Sequence, residues 1–257
     1  MHALRYSLMS SSILLQHTLP QWISIPWHLP STQRRKTVIS AYFRAVATLP
    51  PACIPSQPAS ALLSAASSGK ASIFALFGGQ RTNEVYFDEL QNLYNTYTPF
   101  VAPFLQTATQ DILIPLAEEE ADFTCYTHGL DVVSWLSGAT PRPAVSYLAS
   151  VPVSFPLIGL TQLVQYLIVC RVANFTPGEL RNRIAGATGH SQGIVSAVTI
   201  TASATFDEFA ENSRKALKWL FYSGLRHFLS HLSSPPSSKM PLRAERVHQA
   251  LCYQLLA

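Results

Sequence analysis

Five residues, Gly189-His190-Ser191-Gln192-Gly193, constrain this chain more than any other stretch. The pattern G-x-S-x-G asks for a strand that turns abruptly into a helix, with the serine at the apex. A Cβ at either flanking position would clash in so tight a turn, so glycine belongs there. The surroundings suit the geometry. Residues 184–188 read as a short strand leading into the motif, and "GIVSAVTITASA" from Gly193 reads as the helix leaving it, with small residues that allow close packing on a sheet. Such a turn exposes the Ser191 hydroxyl and aims the backbone N–H of Gln192 at the reaction centre. A serine hydroxyl is a weak nucleophile that needs a base, and the oxyanion formed on an attacked carbonyl needs donors. Hydrolases and acyl-transferring enzymes share the pattern, so the motif alone does not choose between them.

The rest of the chain supplies context. "ASIFALF" (71–77) followed by Gly78-Gly79 suits a buried strand ending in a tight loop. Gln80 then stands just after a strand, where its side-chain amide could serve as a second oxyanion donor or could equally be a surface glutamine. Asn83 is placed to cap a helix whose Tyr86, Phe87, Leu90, Leu93, Tyr94 and Tyr97 recur at three- and four-residue spacing. Residues 100–120 read as a second helical stretch interrupted by prolines. Thr176-Pro177-Gly178-Glu179 has the capping-box form with proline at the first helical position, and opens a short helix to about residue 183. Residues 206–229 form an amphipathic pattern with Phe206, Phe209, Ala216, Leu220 and Phe221 on its apolar side. Strands alternating with helices favour an α/β fold with a mostly parallel sheet. Three zones follow: an N-terminal extension (1–70) with a helix near 36–49 and a Pro-rich linker at 49–60, a core (71–228), and a divergent tail (229–257).

Composition narrows the classes. The 257 residues suffice for one large α/β domain, and 48% hydrophobic against 12% charged residues suit a domain that packs against others. Net charge is +4, and the one dense basic run is Arg34-Arg35-Lys36, with no aromatic-plus-basic stripe, so nucleic-acid binding is not expected. Cys53, Cys125, Cys170 and Cys252 form no C-x-x-C pair, which disfavours structural zinc and a disulfide scaffold; reduced thiols and a cytoplasmic location are expected, and no metal site is read. The first seventeen residues carry an apolar patch too short and serine-broken to expect a signal peptide. The longest apolar stretch, 151–173, contains Pro152, Pro156, Gln162 and Gln165. A membrane span needs ~20 nearly unbroken apolar residues, so a buried amphipathic helix is expected and no membrane partner.

Several segments together resemble a known family. "FGGQ…YFDELQNLY", "GLDVVSWL" (129–136), "SVPVSFPLIGLTQL" (150–163), "TPGELRNRIAGATGHSQG" (176–193) and "SRKALKWLFYSGLR" (213–226) are similar to the acetyl/acyltransferase domain of the fungal fatty acid synthase β subunit. The related starter-unit acyltransferase domains of fungal non-reducing polyketide synthases resemble them too. The resemblance covers roughly residues 71–226. It implies a malonyl-transacylase-like fold, with an α/β-hydrolase-like core and a small ferredoxin-like subdomain. It further implies ping-pong transfer of an acyl group from coenzyme A to the phosphopantetheine thiol of an acyl carrier protein, with no bound cofactor and with other synthase domains or subunits as partners. By position, Ser191 is the acylated nucleophile, Gln80 and the backbone of Gln192 form the oxyanion hole, and His190 plays a supporting part. Gly79, Arg81 and Ser223 fall at substrate-binding positions. Malonyl-using relatives carry F-Y-R-G where this chain has Phe221-Tyr222-Ser223-Gly224. Without that guanidinium a malonyl carboxylate would lose a bidentate partner, so an uncharged acetyl or short fatty acyl group is expected.

Two departures stand out. Arg81 replaces the last glycine of the family's G-G-Q-G. The family's general base is a histidine far beyond the serine, past the ferredoxin-like subdomain, whereas this sequence ends 66 residues after Ser191. His227, His231 and His248 are the histidines downstream, and none of them is assigned as the base. The sequence therefore reads as an acyltransferase cut short, with the subdomain missing. A non-catalytic remnant or scaffold is the alternative. An esterase would need an Asp and a His after the serine; Asp207 and His248 have the order, but Asp207 lies directly after the elbow helix, a poor place for the acid.

Overall fold

The computed structural model describes residues 32–49, 60–80 and 85–232. Arg81, Asn83, the Pro-rich linker, His248 and nearly all of the tail lie outside the described residues. The elements in chain order are α1 (Thr32–Ala47), α2 (Ala61–Ser67), β1 (Phe74–Phe77), α3 (Tyr86–Ala108), α4 (Ile114–Glu119), α5 (Val132–Ser137), α6 (Val145–Leu148), α7 (Val151–Ala173), α8 (Pro177–Arg181), β2 (Gly186–Gly189), α9 (Gly193–Thr201) and α10 (Phe206–Leu232). The structure is mostly helical with one small parallel sheet, consistent with the α/β class.

Helix α7 is the axis of the molecule. Val153, Leu157, Leu160, Leu163 and Val164 are all buried, and α3 and α10 pack along it. Burial extends round every face, so the helix is not amphipathic as the sequence reading expected. It is long and apolar enough to cross a membrane, but 78% of its most apolar window is buried inside the protein. A helix hydrophobic all round belongs in a core or a bilayer, and here neighbouring elements cover it.

The prolines expected to interrupt 100–120 do not end a helix. Helix α3 runs through Pro99 and Pro103, bending at Tyr97 (φ −121°, ψ 27°). It continues through a π-helical turn, Thr109–Leu113, into α4. Proline removes an N–H and so frees the carbonyl four residues earlier. That carbonyl, Asn95 O, accepts a hydrogen bond from Ser40 Oγ of α1 at 3.0 Å. Phe43 of α1 packs its ring against Phe100, with centroids 5.2 Å apart. Tertiary contacts thus compensate what the local pattern forfeits.

The local signals at 176–193 hold more closely. The Thr176 hydroxyl accepts from the Glu179 N–H at 3.2 Å, and the Glu179 carboxylate accepts from the Thr176 N–H at 2.7 Å, a complete capping box. Strand β2 follows and pairs in parallel with β1, Phe74 opposite Gly186 and Phe77 opposite Gly189. The inner face of the sheet, with Ala75 and Phe77, joins Leu163, Leu167, Ile200 and Phe209 in a second core cluster. The outer face does not: Phe74 is 42% exposed.

Candidate active site

Both strands end on the same side, and the carboxyl ends of parallel strands are where α/β sheets place ligands. The His190 N–H donates to Phe77 O at 2.9 Å, which extends the pairing one residue past the sheet. The chain then reverses. Ser191 has φ 55°, and the described residues contain one other non-glycine with positive φ, Asn174 at the end of α7. A left-handed serine costs of order 1–3 kcal/mol and persists only where its surroundings enforce it. Ser191 is exposed, at the first turn of α9, with Gly193 N–H bonded to His190 O at 3.0 Å and Ile194 N–H to Ser191 O at 3.1 Å.

The two glycines of the motif enforce this turn. A Cβ on Gly189 would strike the backbone of Gly193 and Ile194. A Cβ on Gly193 would strike Phe77 O and lie 2.6 Å from Gly78 O. Gly79 completes the set: its Cβ would stand 3.0 Å from Ser191 Cβ and 3.1 Å from His190 Nδ1. The loop after β1 therefore lies directly against the elbow, and glycine is the residue that permits the approach.

Gln192 is buried to 3% exposure. Its side-chain amide finds no partner at either end among the described residues. Its backbone N–H is one of the orphan donors at a helix start and follows Ser191 directly, as an oxyanion donor requires. Gln80 stands in the loop beside the elbow, but its amide is engaged: Nε2 donates to Ser154 Oγ of α7 at 2.6 Å. His190 is exposed beside Ser191.

Other expected residues are not gathered here. Ser223 sits on α10, half-buried, its hydroxyl without a partner among the described residues. His227 is exposed and stacks on Phe155, ring centroids 6.4 Å apart. No imidazole hydrogen-bonds to Ser191 Oγ among the described residues.

Three residues beneath the loop were not assigned from the sequence. Ser154 holds Gln80. Gln162 of α7 donates from Nε2 to Gly78 O at 2.7 Å and accepts at Oε1 from Ser196 Oγ of α9, also at 2.7 Å. In the sequence, Ser154 and Gln162 stand out as polar interruptions of an apolar run, a signal that by itself argues only against a membrane span.

Residues 75–241 match the family described as "Starter unit:ACP transacylase in aflatoxin biosynthesis". The fatty acid synthase subunit beta of Saccharomyces cerevisiae is 40% identical over 184 residues, 69% of this chain and 9% of the yeast protein. The fatty acid synthase subunit beta of Schizosaccharomyces pombe is 45% identical over 152 residues, 59% of this chain and 7% of its own length. In Emericella nidulans, the fatty acid synthase beta subunit aflB is 39% identical over 203 residues, 78% of this chain and 9% of that protein. The chain thus spans less than a tenth of the length of these relatives.

Proposed function

The chain belongs to the starter unit:ACP transacylase family, and from that premise we propose that it accepts an uncharged starter acyl group, acetyl or short fatty acyl, from coenzyme A onto Ser191. The observation that carries this reading is the strained, exposed Ser191 at φ 55° between a strand end and a helix start. Ser191 Oγ attacks the thioester carbonyl, losing its proton to a base that is not assigned. The oxyanion is held by the backbone N–H of Gln192 and by the Gly79-Gln80 loop. Collapse breaks the carbon–sulfur bond, coenzyme A leaves as the protonated thiol, and an acyl ester remains on Ser191. The phosphopantetheine thiol of an acyl carrier protein then attacks the ester, the new thioester forms, and the serine proton returns. Ser223, at the position where malonyl-using relatives hold an arginine, supports an uncharged group. The parallel β1–β2 pair and the elbow fit the centre of a malonyl-transacylase-like core.

Intact-mass measurement after incubation with acetyl-CoA or hexanoyl-CoA tests the proposal. One added acyl group is expected, absent in Ser191→Ala. Rapid release of free acid without an adduct would make the chain an esterase, and no reaction with any acyl-CoA would make it a scaffold. Either result overturns the transferase reading.

A further inference from the structure

We propose that Gln162 is a positioning residue that locks the oxyanion loop onto the elbow helix; the proposal rests on the acyl-transfer reading of Ser191. Among the described residues, Gln162 is the single side chain that bonds to the loop after β1 and to α9 at once. It is buried on α7, and both ends of its amide are used: Nε2 on Gly78 O and Oε1 under Ser196 Oγ, each at 2.7 Å. The pair of partners leaves the amide one orientation, because a carbonyl needs a donor and the Ser196 hydroxyl donates.

The target of this clamp is the peptide group that joins two glycines. Gly78 and Gly79 adjoin, and two glycines in succession allow rotations that side chains would forbid. The carbonyl of Gly78 and the N–H of Gly79 lie in one rigid plane and point opposite ways. Tying Gly78 O to α7 therefore fixes the direction of the Gly79 N–H and the path into Gln80. Gly79 is the residue that faces Ser191, with its Cβ position 3.0 Å from Ser191 Cβ. A second tie comes from the same helix, Ser154 under Gln80 at 2.6 Å. Ser154 and Gln162 are eight residues apart, about 12 Å along the axis. The loop is thus laid along α7 at two points, and Gln162 alone also reaches α9, whose start carries Ser191.

A glutamine serving only to satisfy its own amide could do so within its own helix. This one bonds to the two elements that must keep their spacing during acylation, where displacements near 1 Å can cost about a hundredfold in rate.

The test compares wild type with Gln162→Leu, Gln162→Glu and Ser196→Ala by two readouts. The first is the acylation rate of Ser191 at saturating and at limiting acyl-CoA. Gln162→Leu is expected to lower the saturating rate about a hundredfold with half-saturation unchanged. Gln162→Glu is expected to recover as the pH falls, since only the protonated carboxyl can donate to Gly78 O while accepting from Ser196. Ser196→Ala, a milder change for the fold, is expected to lose less than Gln162→Leu. The second readout is amide hydrogen exchange of the peptide covering Phe77–Gln80, which needs no activity. Exchange should rise in Gln162→Leu and return toward wild type in acidified Gln162→Glu. Unchanged loop exchange in a folded Gln162→Leu, or acylation within twofold of wild type, overturns the clamp. If wild type forms no adduct but loop exchange still responds to Gln162, the transferase reading falls and the clamp stands. Should Gln162→Leu not fold, Ser196→Ala carries the same two readouts and the same overturning results.

Discussion

The helical body and the elbow corner are built from the same apolar residue types to opposite effect. In the body, α7 is enclosed on every side, and side chains such as Phe87, Leu160 and Phe221 are fully buried. In the corner, β1 alternates exposed and buried residues, and its inner face joins a buried cluster. Leu76 is 39% exposed and Ile194, on the elbow helix, 53%. Parallel sheets are ordinarily covered on both faces. The body's order comes from side chains filling space. The corner's order comes from backbone against backbone, through glycines and the Gln162 clamp. Close packing tolerates small adjustments of side chains, whereas a glycine contact of this kind has no slack.

The contrast can be broken at several points. Its largest expression is chemical. Burial pushes the Cys170 thiol up to about 12, and that thiol sits under the body and sheet together. At pH 8 the native thiolate is scarce, so alkylation of Cys170 in the folded protein should run about a thousandfold slower than in urea. The same shift means the folded state holds a proton that the unfolded thiol releases, so stability should decline as the pH rises above the ordinary thiol value of 9.0. Fast native labelling by mass spectrometry would show that the covered side of the sheet is open.

Next in size is Phe87→Ala. The ring is fully buried, edge-on to Tyr86, and a loss of about 3–5 kcal/mol is expected in denaturant melts. Gly193→Ala should cost about 3 kcal/mol, since the added methyl meets the backbone of Phe77 and Gly78. It should also abolish Ser191 acylation. Gly159→Ala, in the body, meets only the tip of the Leu220 side chain. That tip can rotate, and about 1 kcal/mol is expected. A larger loss for Gly159→Ala than for Gly193→Ala would erase the distinction between side-chain and backbone contacts. The smallest effect belongs to Leu76→Ser on the outer face, about 0.5 kcal/mol or less. A loss of several kcal/mol there would mean that the face is covered in solution.

The legible parts of the fold were those written in adjacent residues. The elbow glycines, the Thr176–Glu179 box and the helical spacing of Tyr86 to Tyr97 each follow from sterics or hydrogen bonding within a few positions. The continuity of α3 through Pro99 was not legible, because the compensating hydroxyl comes from Ser40, 59 residues earlier. Ser191 and its turn could be read directly. Gln162 could not, since its meaning lies in two elements that the fold brings together from 84 and 34 residues away. Composition marked it as out of place in an apolar helix without saying what it served.

Pro99 carries a further consequence. A proline is usually counted as damage to a helix, but here the damage works as an address. The carbonyl it leaves open is the acceptor that Ser40 occupies, and the ring that follows, Phe100, is one that Phe43 touches. The seat of the first helix is therefore encoded in the third. Replacing Pro99 by alanine would add an N–H within α3 that competes with Ser40 for Asn95 O, so an apparent repair of one segment would loosen one of the ties that seat another, leaving the Lys36–Asn92 bond and the Phe43 packing to hold α1.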